Sequence, residues 1–191
     1  MRQIYLTDKG ALAYFGKKTT PQFWDQHWEI EDLRKHVLSC TSEGLFIPFV
    51  KKYLPQKSRI LEGGCGRGRI VNALNHHGYN CVGVDFAEKT VAKVNDAVPR
   101  LDVRVGDVRN LPFDNSEFDG YISGGVIEHF WDGYDDILSE MSRVLRKGGL
   151  LFVSFPYMSP IRKLKAIMMM YQRHFSDELE EIIDTFYQLA L

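Results

Sequence analysis

Cysteine is scarce in this sequence, and its placement excludes two classes of protein. The chain of 191 residues holds three cysteines, Cys40, Cys65 and Cys81, and no Cys-x-x-Cys pair. An odd number without paired spacing argues against a disulfide framework and against a zinc site, and it is typical of a reducing compartment. We therefore predict a cytoplasmic protein without a bound metal.

Long apolar runs and an excess of charge are also missing. The longest apolar run, Ala166 to Tyr171, is far shorter than the roughly 20 residues that a membrane-spanning helix needs. The first apolar run breaks by Lys9, too early for a signal peptide. Lysine and arginine number 24 against 25 acidic residues, so no global field would attract a nucleic acid and none is predicted as a partner.

Glycine, by contrast, is concentrated in one short stretch. Arg59-Ile-Leu-Glu62 is followed by Gly63-Gly-Cys-Gly-Arg-Gly68, four glycines in six positions, which indicates a buried strand, a tight turn and the start of a helix. The nicotinamide fingerprint fails because Arg69 stands where its last glycine or alanine should be. A phosphate loop fails because Arg69 and Ile70 replace its lysine and its serine or threonine. A cofactor pocket of another kind remains.

From Ser58 onward, short apolar strands alternate with helical patterns. The predicted strands are 59–62, 81–85, 101–105, 118–123 and 150–155, and the predicted helices between them are 70–77, 87–98 and 134–145. This alternation predicts an α/β, Rossmann-like, doubly wound parallel sheet. The strict alternation of 101–105 indicates an edge strand, which gives the strand order 3-2-1-4-5 and a ligand site where the crossovers diverge.

The flanking segments are predicted to be helical additions to one domain of residues 1–191, in which 1–57 forms an N-terminal helical cap, 58–156 the cofactor-binding core and 157–191 a C-terminal segment. A helix beginning at Pro21 carries the i, i+4 aromatic pairs Phe23/His27 and Trp24/Trp28, which we interpret as packing on the domain rather than lining a substrate. No strand pattern follows Phe155. A basic helix that contains Met168 and an acidic helix from Ser176 are predicted there, and we favour pairing between them over contact with a lipid surface.

Three motifs resemble those of the class I S-adenosylmethionine-dependent methyltransferases, in particular the small-molecule, type 11-like members. The run 62–68 resembles motif I, Gly106-Asp107 to Asp119 resembles the segment between the third and fourth strands, and 144–149 resembles the entry to the fifth strand. Together they cover 58–156. The resemblance also shows that the terminal strands of the family are missing after Phe155, so the sequence is interpreted as either a fragment or a reduced member.

The resemblance implies a cofactor-binding set around S-adenosylmethionine and its product S-adenosylhomocysteine. It consists of Glu62, Gly63, Gly64, Cys65, Gly66, Asp85, Phe86, Asp107, Val108 and Gly124. In the family the glycine turn and the segment from Gly124 lie beside the methionine part, whereas Asp107 and the backbone N–H of Val108 bind the adenine. Asp85 could bind both ribose hydroxyls, although a carboxylate there suits a nicotinamide dinucleotide equally.

Two residues of this set, and the candidate catalytic residue His129, each have a second interpretation. Phe86 could cover an adenine or pack in the core, and Asp107 could cap a turn. His129 is the candidate catalytic base, because its unperturbed pKa near 6.5 suits either protonation state, but it could equally be bonded to backbone.

We therefore predict an enzyme that transfers a methyl group from S-adenosylmethionine to a small-molecule or lipid-like acceptor. The alternative is a module that binds the cofactor without transferring a methyl group. The sequence identifies neither the acceptor nor the oligomeric state.

Overall fold

The computed structural model of the chain describes residues 2–7, 11–15, 20–41, 44–130, 133–155, 159–168 and 172–174. In chain order the elements are β1 (Arg2–Leu6), β2 (Ala11–Phe15), α1 (Pro21–His27), α2 (Leu33–Leu38), α3 (Ile47–Tyr53), β3 (Arg59–Gly63), α4 (Arg69–His76), β4 (Asn80–Asp85), α5 (Glu88–Ala97), β5 (Asp102–Val105), β6 (Phe118–Gly124), a 3-10 helix (Ile127–His129), α6 (Asp135–Val144), β7 (Leu145–Ser154), α7 (Pro160–Ile167) and β8 (Gln172–His174). They fall into two compact units, one of Thr19–Phe155 and one of Met1–Lys18 with Pro156–Leu191. The predicted division into cap, core and C-terminal segment of one domain stays a prediction.

The larger unit contains a five-stranded sheet in the order β5-β4-β3-β6-β7. All four strand pairs are parallel, which confirms the predicted doubly wound sheet and its strand order. The edge strand β5 has four residues, of which only Val103 is buried, as its alternating pattern indicated. The carboxyl ends of β3 and β6 lie side by side at the centre of the sheet, where the crossovers diverge.

Apolar side chains cover both faces of this sheet. Ile60 and Ile122 point into one cluster, which includes Val71 and Leu74 of α4. Their chain neighbours Leu61 and Tyr121 point into the other cluster, to which α6 contributes Ile137 and Met141. Because successive residues of a strand face opposite sides, the near-continuous apolar runs of β3 and β6 supply both clusters.

The last strand of the sheet begins earlier than predicted. The sequence interpretation placed a helix over 134–145 and a strand over 150–155, with Gly148 and Gly149 between them, but β7 starts at Leu145, directly after α6. Leu145 pairs with Phe118, and the pairing resumes at Gly120 with Leu150 after a register shift. The glycines therefore accommodate an irregularity inside the strand instead of a turn before it.

The side chain of Asp25 in α1 caps the first turn of α5. The residue before α5 is Ala87, which offers no side-chain cap. Instead, the backbone N–H of Thr90 donates to Asp25 Oδ1 at 2.8 Å, and the Thr90 hydroxyl donates to the same oxygen at 2.9 Å. An exposed ion pair between Lys93 and Glu29 lies alongside. Asp25 thus satisfies an N–H of the first turn that would otherwise lack an acceptor.

The smaller unit corrects two predictions. Arg2–Leu6 and Ala11–Phe15, which lie in the predicted helical cap, form the antiparallel pair β1 and β2, with Arg2 opposite Phe15. A strand also follows Phe155, because β8 pairs in parallel with β1 at Ile4 to Leu6. β8 has three residues and pairs with β1 across more than 150 positions of sequence, so a local pattern gives little sign of it. The predicted acidic helix from Ser176 lies outside the described residues.

Among the residues that the structure describes, no helix has the length and apolarity needed to cross a membrane.

Candidate cofactor site

The glycine turn between β3 and α4 requires glycine for two separate reasons. Gly64, Gly66 and Gly68 have φ values of +73°, +50° and +70°, which L side chains rarely adopt. Gly63 has an ordinary φ, but a Cβ there would collide with the hydroxyl of Tyr121 and lie 2.8 Å from its Cζ atom. The turn therefore combines backbone freedom with close packing.

Backbone hydrogen bonds hold this turn against the neighbouring strand. The N–H groups of Gly64 and Cys65 both donate to the carbonyl oxygen of Val84, at 2.8 and 3.0 Å. Cys65 is buried, and burial raises the pKa of its thiol well above the usual value. Cys65 is thus a packing residue of the turn and has no thiolate available for chemistry.

Asp85, at the end of β4, is tied into the same turn. Its Oδ2 accepts the N–H of Gly66 at 2.7 Å, and its Oδ1 accepts the N–H of Ala87 at 2.9 Å. Burial raises the pKa of Asp85, and these backbone hydrogen bonds oppose the rise. Both oxygens are fixed in direction, and each carboxylate oxygen keeps a second lone pair for a ligand hydroxyl.

Glu62 supplies a buried acceptor that no described group uses. Its carboxyl accepts the backbone N–H of Val71, whereas its Oε2 atom is buried without a hydrogen-bond partner. Burial raises the pKa of Glu62 well above its usual value, and nearby Asp85 adds to the rise. A buried polar atom without a partner is rare in folded proteins and is a natural contact for a bound polar group.

Phe86 and Gly124 lie at the carboxyl ends of β4 and β6. Phe86 is half-buried and does not belong to either apolar cluster of the sheet, which favours a stacking role over a core role. Gly124 is exposed, and a Cβ there would lie 2.8 Å from Cε2 of Phe46. A larger residue at 124 would close the approach to the strand end.

Asp107 is placed differently from Asp85. Its carboxylate makes a two-pronged ion pair with the guanidinium of Arg109, including an Nη2 to Oδ2 distance of 2.6 Å, and it accepts the backbone N–H of Arg109 at 2.9 Å. The hydrogen bond from the Arg109 side chain is the main reason why the pKa of Asp107 is lowered. Val108 is buried in the second cluster. This is the turn geometry that the sequence left open as the alternative to adenine binding.

His129 ends the 3-10 helix that follows β6. Its backbone N–H donates to Val126 O at 3.1 Å, while its ring meets the ring of Trp24 edge-on, with 4.9 Å between centroids. Burial lowers the pKa of His129; Glu128 raises it and His27 lowers it further. The imidazole is therefore neutral at pH 7 and has a nitrogen able to accept a proton.

The aromatic residues of α1 lie on the site, a position that the sequence interpretation missed. Trp24 and Trp28 are stacked with 5.6 Å between centroids. A Cβ on Gly66 would lie 2.9 Å from Cε2 of Trp28, and the guanidinium of Arg67 lies 5.1 Å from the centre of a Trp28 ring. The two tryptophans do pack on the domain, as predicted, but the surface beneath them is the glycine turn and His129.

Comparison with known proteins agrees with this geometry. Residues 61–153 match the family described as "Methyltransferase domain". A protein of Mycolicibacterium smegmatis described as "Probable S-adenosylmethionine-dependent methyltransferase" is 39% identical over 97 residues, which are 51% of this chain and 37% of that protein. A phthiotriol/phenolphthiotriol dimycocerosates methyltransferase of Mycobacterium leprae is 36% identical over 97 residues, which are 49% of this chain and 36% of that protein.

The fold has solved relatives as well. The crystal structure of a TehB-like S-adenosylmethionine-dependent methyltransferase from Corynebacterium glutamicum covers 78% of this chain and 81% of its own, with a TM-score of 0.56 and 20% identity. The solved structures show the Rossmann-like fold. The match over 61–153 and the names of the curated relatives support a class I S-adenosylmethionine-dependent methyltransferase, which implies S-adenosylmethionine as the cofactor.

The roles of individual site residues stay predictions. The chain spans little more than a third of the length of the two curated relatives. What the whole protein does is accordingly a proposal.

Proposed function

We propose that this protein transfers a methyl group from S-adenosylmethionine to a small-molecule or lipid-like acceptor by in-line displacement. The observation that carries the proposal is the Asp85 carboxylate, whose two oxygens each accept a backbone N–H, one of them from Gly66 in the glycine turn. One carboxylate thus links the methionine side of a cofactor site to its nucleoside side.

The chain offers suitable partners along the length of the cofactor. Asp85 would hold the ribose hydroxyls, Phe86 would cover one face of the adenine, and the turn Gly63 to Gly66 would hold the methionine part. Glu62 Oε2, buried and without a described partner, is a further acceptor for the polar end of that part. When bound, the cofactor supplies a methyl carbon made electrophilic by its sulfonium.

His129 is the proposed proton acceptor for an acceptor molecule that reaches the site protonated. Its lowered pKa keeps the ring neutral at physiological pH, so that no prior deprotonation is needed. Trp24 fixes the ring by its edge-on contact. If His129 acts in this way, the rate should fall as the pH decreases through a pKa below 6.5, and His129→Gln should remove that limb of the profile. An unchanged pH profile in the variant would contradict the role.

The rings around His129 favour an acceptor with apolar or planar character. Trp24 and His27 lie in α1, Trp28 is the residue that ends it, and Phe130 follows His129. Rings of this kind bind ligands mainly through apolar area and stacking. The Mycobacterium leprae relative is named as a methyltransferase of dimycocerosates, which agrees with a lipid-like acceptor.

Two measurements test the proposal. Calorimetric titration of the folded chain with S-adenosylhomocysteine should show one binding site, and absence of binding would refute it. Incubation with methyl-labelled cofactor and a cell extract, separated into lipid and aqueous fractions, should then transfer the label. Binding without transfer would leave a cofactor-binding module as the function.

A further inference from the structure

We propose that α7, with its flanking residues Ser159 and Met168, binds the surface of an anionic lipid bilayer. The helix is well terminated at its start, since Ser159 Oγ accepts the backbone N–H of Arg162 at 3.3 Å and Pro160 occupies the first turn. The smaller unit therefore presents a formed helix with a definite set of exposed side chains.

Three large apolar side chains of this helix and that of Met168, the residue that ends it, are more than half exposed. The exposed fractions are 68% for Ile161, 55% for Leu164, 71% for Ile167 and 63% for Met168. With 3.6 residues per turn these four positions fall within an arc of about 120°. Ala166, which is buried, lies roughly opposite the centre of that arc. Ala166 thus marks the buried side of the helix, and a continuous apolar stripe is exposed on the opposite side.

Basic residues border the stripe on both sides. Lys163 and Lys165 are exposed, and each lies about 40° beyond one edge of the apolar arc. Residues 159–168 contain a third basic residue, Arg162, and no acidic one. Amphipathic helices that lie in the headgroup region of a bilayer have an apolar face bordered by basic residues. The aliphatic part of each lysine side chain then extends along the apolar region, and its ammonium group contacts the anionic lipid headgroups.

Charge complementarity decides which partner the surface fits. The chain as a whole has a net charge of −1, so attraction to an anionic surface has to come from a local cluster rather than from the overall field. Pairing of Lys163 and Lys165 with the acidic residues of 176–191 would account for the lysines but not for the apolar stripe between them. An anionic bilayer accounts for both.

The inference goes beyond methyl transfer and can fail separately from it. Vesicle binding is measured in flotation assays with the full chain, using phosphatidylglycerol vesicles and, in parallel, phosphatidylcholine vesicles. We expect binding to the anionic vesicles that weakens with salt, and little binding to the zwitterionic ones. Titration of each variant with S-adenosylhomocysteine shows whether the cofactor site is intact.

Two pairs of substitutions separate the apolar and the charged contributions. Lys163→Glu with Lys165→Glu should weaken binding to anionic vesicles by about tenfold or more, because each basic residue near such a surface contributes about fivefold. Ile161→Ser with Leu164→Ser should weaken binding to a similar degree without unfolding the chain, since both side chains are exposed. Lys57→Glu with Lys89→Glu makes the same charge change at two other exposed positions and should leave binding within about twofold.

The proposal is overturned by any of three results. These are no binding to phosphatidylglycerol vesicles, equal losses in the α7 lysine pair and the control pair, or α7-dependent dimers in place of vesicle binding. The proposal is supported if the α7 variants lose vesicle binding that the unaltered chain shows, while their affinity for S-adenosylhomocysteine is unchanged.

Discussion

Two carboxylates at the ends of neighbouring strands were predicted to bind two parts of one cofactor, and their surroundings differ. Asp85 follows β4, is buried, and is held by two backbone N–H groups of other residues. Asp107 follows β5, is partly exposed, and is held by the side chain and backbone of Arg109 two residues away. The pKa of Asp85 is raised, mainly by burial, whereas that of Asp107 is lowered, mainly by the Arg109 hydrogen bond.

These surroundings indicate that the site is preorganised on the side of Asp85. Around Asp85 the glycine turn, β4 and α5 are joined by hydrogen bonds that a ligand need not rearrange. Asp107 already has a cation as its partner, so that binding a ligand amine would compete with a surface ion pair, which is itself worth little. We expect the β3–β4 side of the site to supply most of the affinity and the β5 side to supply less.

The largest effect should come from filling the space at Gly63. Gly63→Ala forces a Cβ against the Tyr121 ring, and overpacking of this kind costs about 1–3 kcal/mol or more. Urea unfolding followed by circular dichroism measures the loss. Gly44→Ala is the control, because a Cβ at Gly44 meets no atom within 4 Å. Equal stability of the two variants would show that the β3 side of the site is not tightly packed.

The next effect concerns Asp85 itself. Asp85→Asn keeps the shape of the side chain but removes its charge, and we expect affinity for S-adenosylhomocysteine to fall by about 1–3 kcal/mol, or roughly 5- to 150-fold. Asp102→Asn removes an exposed carboxylate that pairs with Arg104 at the sheet edge and should leave the calorimetric affinity unchanged. If both variants bind equally well, Asp85 does not hold the ribose.

The pH dependence of stability in Glu62→Gln tests how much the buried Glu62 carboxyl destabilises the fold on the Asp85 side of the site. A carboxyl whose folded-state pKa is raised stabilises the fold below its unfolded pKa, and this stability is lost as the pH rises toward the folded pKa. Glu62→Gln should remove a slope of up to about 1.4 kcal/mol per pH unit. The advantage of the variant in free energy of unfolding should therefore grow as the pH increases above 4.5, the ordinary value for glutamate. A constant difference between pH 4 and 8 would contradict the raised pKa.

The smallest effect is expected at Asp107. Asp107→Ala should change affinity for S-adenosylhomocysteine by about twofold or less, since the carboxylate is already paired with Arg109 and partly exposed to solvent. Asp114→Ala, an exposed acid of the same connection, is the matched control. A loss of tenfold or more at Asp107 alone would remove the contrast between the two strand ends.

The sequence was sufficient for the parts of the site that depend on local pattern and strand order. The glycines of the turn, Asp85 and the order of the central sheet follow from residue types at fixed offsets and from the edge character of β5. The glycine turn and the alternation of β5 are each contained within a few residues of sequence. The resemblance to the family motifs predicted the cofactor but did not identify the methyl acceptor.

The features that sequence reasoning missed are of two kinds. Some are contacts between side chains far apart in sequence, and others are side chains with more than one suitable partner. Trp28 reaches Gly66, and Asp25 reaches Thr90, across 38 and 65 positions. The pairing of Asp107 with Arg109 is local, but the residue types fit adenine binding equally well. The start of β7 was misplaced because Gly148 and Gly149 suggest a turn, while the continued pairing with β6 keeps them in the strand.

The cap that Asp25 provides to α5 limits how this protein can be recombined with its relatives. A chimera that exchanges α1 for the corresponding segment of another methyltransferase also exchanges the acceptor for the Thr90 N–H. Without a carboxylate or hydroxyl at that place, α5 would begin with an unsatisfied donor, at a cost of about 1 kcal/mol, next to the strand end that carries Asp85. A chimera that replaces α1 to change the acceptor specificity should therefore keep Asp25, or place another acceptor side chain at that position.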